Sequence, residues 1–466
     1  MSKPSLNTSL VSVSHKDKYG SSVPPLYQST TFKASSFSEL QEYDYTRSGN
    51  PTRTVLQQQV ANLYEVAPEQ VFAVSSGMTA LDIILRTLVD NSDHIPTIIA
   101  GDDLYGGTQR LLTFLQTRNQ AKVVHTDTTD SESFITLFNS LDHVDIVLLE
   151  SPTNPLLKVA DLPRLCQFVK QKTGPDSNCK IVVDNTMMSG LNSNPLQYGA
   201  DLVYESGTKY LNGHHDIMAG VIIAKKDVAP SVYFVINSTG AGLSPMDSWL
   251  LIRGLKTLSV RLYKQQINAM VLSHWLQDVC GFKSTQLPSD NKTINQLQTR
   301  FVGLESHPQF DLHKSFNRGP GAVLSIETGD VALSERIVTS KRLQIWAVTV
   351  SFGCVNSLIS MPCKMSHASI DPELRKQRAF PEDLIRLCCG IEDIKDLQYD
   401  LLAAFEEAGL IELQQRGNDT YLLNKKNGHV ARNNIGETYQ ENYNVYDQFF
   451  GQQIVSNTAS LHRAKL

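Results

Sequence analysis

The chain has 466 residues, 41% of them hydrophobic and 19% charged, which is enough apolar mass for more than one core and excludes a disordered or fibrous protein. A formal net charge of -5, from 42 basic against 47 acidic side chains, offers no broad positive field and argues against nucleic acid or anionic membrane as a partner. Seven scattered cysteines without a Cys-x-x-Cys pair speak against a disulfide scaffold or a structural zinc site and favour a reducing compartment. Cys388 and Cys389, adjacent in an apolar run, read as small buried side chains. The N-terminus lacks the apolar core of a signal peptide, and no apolar run is long enough to span a bilayer.

In chain order, residues 1–55, rich in Ser, Thr, Pro and Tyr, read as an extended N-terminal arm. Residues 56–239 alternate short β-branched runs with helical spacing. Strands are predicted at Val71 to Val74, Thr97 to Ala100, Lys122 to His125, Asp145 to Leu149, Lys180 to Val183 and Leu202 to Tyr204. Between them, Leu81, Ile84, Leu85 and Leu88 repeat at helical spacing, as do Leu111, Leu112 and Leu115. That alternation predicts a large α/β domain with a mostly parallel sheet, helices on both faces, and ligands at the strand C-termini. Residues 240–413 read as a smaller α/β domain, with elements at Met246 to Leu262, Gly321 to Glu327 and Leu384 to Leu387. Residues 414–466, rich in Asn and Gln, read as a mostly irregular polar tail. It closes on Ala464-Lys465-Leu466, a one-residue variant of the Ser-Lys-Leu peroxisomal address, so the expectation is a peroxisomal protein recognised by the import receptor, and otherwise a cytoplasmic one.

Three segments carry chemistry. Ser75-Ser76-Gly77-Met78-Thr79 follows an apolar strand and opens an amphipathic helix, whose unpaired N–H groups and dipole suit a phosphate, although a plain helix cap uses the same residues. It has neither the P-loop nor the Gly-x-Gly-x-x-Gly spacing. Ile181-Val182-Val183-Asp184 delivers a carboxylate to a strand end, where it needs a cation to stay charged. Glu205-Ser206-Gly207-Thr208-Lys209-Tyr210 then places a lysine among Ser, Thr and Gly at the next strand end. A phosphate cradle, an acid for a pyridinium nitrogen and a lysine for an aldehyde together call for pyridoxal 5'-phosphate. The adjacent His214 and His215 lack any accompanying ligand pattern, so no metal is assigned.

From about residue 20 to 413 the sequence resembles the Cys/Met-metabolism family of pyridoxal-phosphate enzymes, the trans-sulfuration enzymes. The blocks that carry the resemblance are Tyr45-Thr46-Arg47-Ser48-Gly49-Asn50-Pro51-Thr52, Ser75 to Met78, Asp103-Leu104-Tyr105-Gly106-Gly107-Thr108, Glu150 to Pro155, Asp184, the Lys209 segment, and Ile385-Arg386-Leu387 before Gly390-Ile391-Glu392-Asp393. The resemblance implies fold type I of the pyridoxal-phosphate-dependent transferases, which is aspartate aminotransferase-like. It implies that Lys209 forms the covalent link to the cofactor and later moves the proton, and that Asp184 keeps the pyridine nitrogen protonated. A neighbouring cation lowers an Asp pKa by roughly 1–3 units, which would keep that pair ionic. It further implies that Tyr105 stacks on the ring, that Ser76, Gly77, Met78, Ser206 and Thr208 hold the phosphate, and that Tyr45 and Arg47 reach in from a neighbouring subunit of a dimer, paired into a tetramer. Arg386 would clamp the substrate α-carboxylate through its planar fork, with Ser351 and Asn154 as helpers and Arg110 near the distal carboxylate.

Substrate choice rests on departures from the family pattern. Gly107 stands where methionine γ-lyases carry cysteine. Val350 replaces a glutamate found in eukaryotic γ-lyases, which removes a polar partner for a distal ammonium, and Cys354 replaces a glycine of the same block. The tail and the 281 to 320 stretch resemble fungal members. The expected activity is a C–S lyase reaction of methionine biosynthesis, β-elimination of L-cystathionine to homocysteine, pyruvate and ammonia. The alternative is γ-elimination or γ-replacement on the same scaffold.

Overall fold

The computed structural model describes all residues except 1–3, 14, 16, 37, 39–40, 90–93, 175–176, 286–295, 367, 369–374, 376–377, 379 and 452–466. The chain forms two compact units. One comprises Met1–Asp102, Leu111–Ser151 and Ala160–Ser259; the other comprises Asp103–Arg110, Pro152–Val159 and Val260–Leu466. The second unit therefore opens at residue 260, not 240, and takes two short segments from within the region read as one domain.

In the first unit, seven strands form one sheet. They are β1 (Val71–Val74), β2 (Thr97–Gly101), β3 (Lys122–Thr126), β4 (Ile146–Glu150), β5 (Lys180–Asp184), β6 (Leu202–Ser206) and β7 (Gly220–Ala224), in the order β1-β7-β6-β5-β4-β2-β3. From β3 through β6 the pairing is parallel, as the alternation implied. The seventh strand, Gly-Val-Ile-Ile-Ala, was not read from the sequence; it runs antiparallel to both β6 and β1. Strands β2, β4 and β7 are buried along their whole length, which is why they read as unbroken apolar runs. Only β3, at the edge, carries an exposed lysine and partly exposed neighbours.

Helix Pro51–Tyr64 starts with Asn50 accepting from the Thr52 amide at 2.9 Å and with proline in the first turn, a favourable start for a helix. Helix Gly77–Val89 buries Leu81, Ile84 and Leu85 completely or nearly so. The arm is not wholly extended, because Leu6–Val11 forms a short helix whose Leu10 is buried.

The second unit holds a six-stranded sheet of β8 (Lys283–Ser284), β9 (Gln298–Arg300), β10 (Val323–Glu327), β11 (Ala347–Val348), β12 (Leu358–Ser360) and β13 (Ile385–Cys388), ordered β11-β12-β13-β10-β9-β8. Its centre is antiparallel, with β13 between β10 and β12. The stretch from Met246 to Leu262 is two helices, Pro245–Leu255 and Leu258–Asp278, and the unit boundary falls at the start of the second.

For residues 414–451 the reading as mostly irregular is corrected; residues 452–466 lie outside the described ones. Strands β14 (Ile411–Arg416), β15 (Asp419–Asn424) and β16 (Val430–Arg432) form an antiparallel sheet, followed by helix Ile435–Tyr446. Leu422, Tyr446 and Phe450 are buried, and Asn424 donates to the Cys280 carbonyl at 2.7 Å. The Asn- and Gln-rich composition hid a few well-spaced apolar residues, since a sheet with one solvated face needs only every second side chain to be apolar. Ala464-Lys465-Leu466 lies outside the described residues. All seven cysteines are free and buried. Among the described residues no helix is long and apolar enough to cross a membrane.

Candidate active site

The first unit gathers its polar groups at the C-terminal ends of β5 and β6. Asp184 ends β5, in register with Glu150 of β4 and Tyr204 of β6, and is only 8% exposed. Burial pushes its carboxyl above the usual carboxylate range, against the opposing pull of bonds from Thr186, the Tyr204 side chain and the charge of Lys209. The Thr186 amide donates to Asp184 Oδ1 at 2.9 Å, and Thr186 Oγ1 accepts the Ser206 amide at 2.9 Å. A cation in the same pocket would offset that burial and favour the ionised carboxylate. A protonated ring nitrogen is such a cation.

The phosphate side fits as well. Gly77 begins its helix against the end of β6, where an added Cβ would lie 2.9 Å from Ser206 Cβ and 3.0 Å from its Cα. Gly220 of β7 passes so near that a Cβ would meet the Ser76 carbonyl at 2.1 Å. Ser76 Oγ accepts the Thr79 amide at 3.0 Å. The helix N-terminus, with Met78 in its first turn, is thus pressed onto the strand ends beside the Ser206 hydroxyl, as anion binding requires. Lys209 follows on a tight turn. Its amide donates to the Ser206 carbonyl at 3.1 Å and its carbonyl accepts from Gly213 at 2.8 Å. Thr208 Oγ1 accepts the Ala219 amide at 3.0 Å, which fixes the turn to the following chain.

Behind this face, Glu205 is buried with Tyr64 Oη and the Gly190 amide both donating to Oε1, the latter at 2.9 Å. Burial raises its carboxyl pKa to about 8. Sequence reasoning passed over this residue, although a carboxylate inside the apolar run Leu202 to Ser206 was a visible signal. His214 Nδ1 lies 2.7 Å from the Asn212 carbonyl, and His215 has a left-handed backbone with φ 57°. Tyr45 and Arg47 are exposed on the arm, the guanidinium 5.0 Å from the Tyr45 ring centre.

The second unit assembles a separate anion site. Arg386, in the middle of β13, is 2% exposed. Its Nη1 donates to Asn154 Oδ1 at 3.0 Å and its Nη2 to the Ser351 carbonyl at 2.8 Å. Its Nε is buried without a partner, and no carboxylate pairs with it among the described residues. A buried guanidinium with neutral neighbours has donors left for an external carboxylate. Ser351 contributes its carbonyl from a backbone with φ 96°, which a side-chain-based reading could not foresee. Such a conformation costs of order 1–3 kcal/mol and is kept where the surroundings enforce it. Asn154 precedes a cis proline, and the Pro155 carbonyl accepts from Ser325 Oγ at 2.9 Å. Tyr105 and Arg110 lie on the 103–110 segment of the same unit. Tyr105 is half-buried at the start of helix Gly106–Thr117, and Arg110 is exposed. Val350 is 49% exposed.

A mostly parallel sheet that presents a buried acid, a lysine turn and a helix N-terminus at neighbouring strand ends defines a pyridoxal-phosphate-dependent enzyme of fold type I. Comparison with known proteins carries the assignment further. The model of the family described as Cys/Met metabolism PLP-dependent enzyme matches residues 7–406, and the chain belongs to that family. A cystathionine β-lyase of Saccharomyces cerevisiae is 62% identical over 456 residues, covering 96% of each chain. One from Neurospora crassa is 52% identical over 88% of this chain and 84% of its own. Among solved structures, a cystathionine γ-synthase of Xanthomonas oryzae pv. oryzae in complex with cystathionine superposes with a TM-score of 0.78 at 32% identity, covering 88% of this chain and 99% of that one. The cofactor is pyridoxal 5'-phosphate.

Proposed function

We propose that the enzyme cleaves the Cβ–S bond of L-cystathionine, giving homocysteine, pyruvate and ammonia. The observation that carries the reading is the 62% identity to a cystathionine β-lyase along 96% of both chains, a span that includes every site residue named above. The buried, carboxylate-free Arg386 supports an α-amino-acid substrate, and the apolar Val350 supports β- over γ-elimination.

When bound, the cofactor supplies a conjugated electron sink for the pair left at Cα. Lys209 would hold it through Nζ, the same amine that would take the Cα proton of the substrate. Asp184, a buried carboxyl whose charged form a neighbouring cation would favour, would keep the ring nitrogen protonated. Ser76, Gly77, Met78, Ser206 and Thr208 supply the phosphate donors, and Tyr105 the stacking face. Arg386, held by Asn154 Oδ1 and the Ser351 carbonyl, would bind the α-carboxylate through its planar fork. The Cβ–S pair leaves with sulfur, which takes a proton to become homocysteine. The remaining three-carbon fragment takes up water and yields pyruvate and ammonia. Arg110, exposed on its helix, is the proposed contact for the distal carboxylate.

Product analysis tests the reaction. Pyruvate with homocysteine is the expected result, and 2-oxobutyrate with cysteine would replace β-elimination by γ-elimination. We further propose a dimer, paired into a tetramer, in which Tyr45 and Arg47 serve the neighbouring subunit. Their exposure in a single chain supports this. Mixing an inactive Lys209→Ala protein with an inactive Arg47→Ala protein should restore activity in hybrid dimers, and a mixture that stays inactive would place Arg47 outside the partner's site. Ala464-Lys465-Leu466 is proposed as a peroxisomal address, supported by its likeness to Ser-Lys-Leu. Imaging with and without the tripeptide tests it, and an unchanged punctate pattern would reject it.

A further inference from the structure

We propose that His94, His143 and Asp145 form a divalent-cation site selective for Zn2+, at the opposite end of the first unit's sheet from the cofactor. His94 precedes β2, while His143 and Asp145 immediately precede β4. Asp184 and Ser206 sit at the far, C-terminal ends of strands parallel to these, and a five-residue strand is roughly 17 Å long.

The three side chains converge. His94 Nε2 lies 3.1 Å from Asp145 Oδ1 and 3.3 Å from Oδ2. His143 Nε2 lies 3.7 Å from Oδ2, and the two imidazole centres are 4.3 Å apart with planes at 80°. One ligand atom from each residue falls within 4.8 Å of the other two. Tetrahedral Zn2+ with bonds of about 2.0–2.2 Å puts ligand atoms roughly 3.3–3.5 Å apart, so small rotations of the rings complete the geometry.

The carboxylate is the fixed member of the set. Asp145 donates its amide to the Thr97 carbonyl at 3.0 Å, and its own carbonyl accepts from Lys180 at 2.9 Å. Its Oδ2 also accepts the Thr97 amide at 2.7 Å. Thr97 Oγ1 lies 3.4 Å from His143 Nε2. The backbone of β2 thus orients the anion much as outer hydrogen bonds orient ligands in established metal sites. The two rings are about half exposed, with 46% and 49% of each side chain accessible, so a cation reaches them directly and keeps water in its fourth position. Two imidazoles and one carboxylate suit Zn2+ and disfavour Mg2+ or Ca2+, which take oxygen ligands. The cluster lies at the other end of these strands from Asp184 and Ser206, so its effect is on the stability of the end of the sheet where β2 and β4 begin.

The test is calorimetric titration of the holoenzyme with Zn2+, run beside His94→Gln, His143→Gln and the double variant. Wild type should bind one equivalent more than the double variant, with at least about tenfold weaker binding in each single variant. Zn2+ should raise the wild-type Tm but not that of the double variant, Mg2+ at the same concentration should raise neither, and kcat should be equal in all four proteins. Identical Zn2+ titrations of wild type and double variant would overturn the site, and an equal response to Mg2+ would overturn its selectivity.

Discussion

The two units assemble their polar clusters in different ways. In the first, Asp184, Thr186, Ser206 and Lys209 come from consecutive parallel strands and the turns that end them, so neighbours in space are near neighbours in sequence. In the second, Arg386 bonds to Asn154 across a sequence separation of 232 residues, and the segment that supplies Asn154 is detached from the rest of its unit. Local motifs therefore describe the group around Asp184 and Lys209, whereas the Arg386–Asn154 pair exists only once distant pieces have met.

Their buried ionisable groups differ too. Glu205 in the first unit is a carboxyl whose pKa burial raises to about 8. His307 and His313 in the second are imidazoles that burial lowers to about 3 and about 4. For Glu205 the folded state binds the proton more tightly than the unfolded one, so its stabilising contribution is complete below the ordinary carboxylate range and fades as pH rises toward about 8. For the two histidines the unfolded state binds the proton more tightly, so stability is complete above the ordinary imidazole pKa of 6.5 and is lost as pH falls toward about 4. Alkali should loosen the first unit, and acid the second.

The sharpest way to break the contrast is Lys209→Ala, for which kcat should drop by about 10⁴ or more while the α-carboxylate site in the other unit still binds substrate, measurable as a retained substrate-induced Tm shift. Borohydride reduction of the wild type should bleach the yellow colour and label Lys209 in mass spectrometry; a label elsewhere would remove its role. Arg386→Lys keeps the charge but loses the planar fork, so kcat/KM should fall by about 10²-fold, chiefly through KM. An effect confined to kcat would move Arg386 out of ground-state binding. Gly77→Ala should weaken cofactor affinity by about tenfold, read from absorbance on dilution, because the new methyl meets Ser206 at 2.9 Å. The smallest effect is expected from Glu205→Gln, which should flatten the alkaline decline of Tm and leave the acid decline untouched. Hydrogen exchange resolved by peptide would show whether each limb belongs to the unit assigned to it.

Most of the first unit was legible because its strands are buried on both faces and its helices on one, so pattern alone declares them. The exception, β7, is as apolar as the rest, but the Gly-rich turn region before it disguised its start. The second unit was less legible. Ser351 was read as a helper of Arg386, but its action through the carbonyl, on a backbone with positive φ, was not foreseen. Glu205 was missed because a buried acid in a strand has no periodic signature, only an incongruous residue type. The sheet after residue 410 was missed because amide-rich composition was taken as lack of structure, although Ile411 and Leu413 flank Glu412 in β14 and Leu422 of β15 stands opposite Leu413.

Because the second unit collects residues 103–110 and 152–159 as well as everything from 260 on, the order of synthesis has a consequence. These two segments leave the ribosome long before their companions exist. At roughly 5–20 residues per second, the hundred or so residues between 159 and 260 take about 5–20 s to make. During that interval Tyr105 and Asn154, the partner of Arg386, belong to an unfinished body, while the first unit is still acquiring its last helix. The nascent chain should thus complete the strand ends at Asp184 and Lys209 before Arg386 meets Asn154, and with the roles proposed for them cofactor loading is expected to precede substrate competence in the life of each molecule.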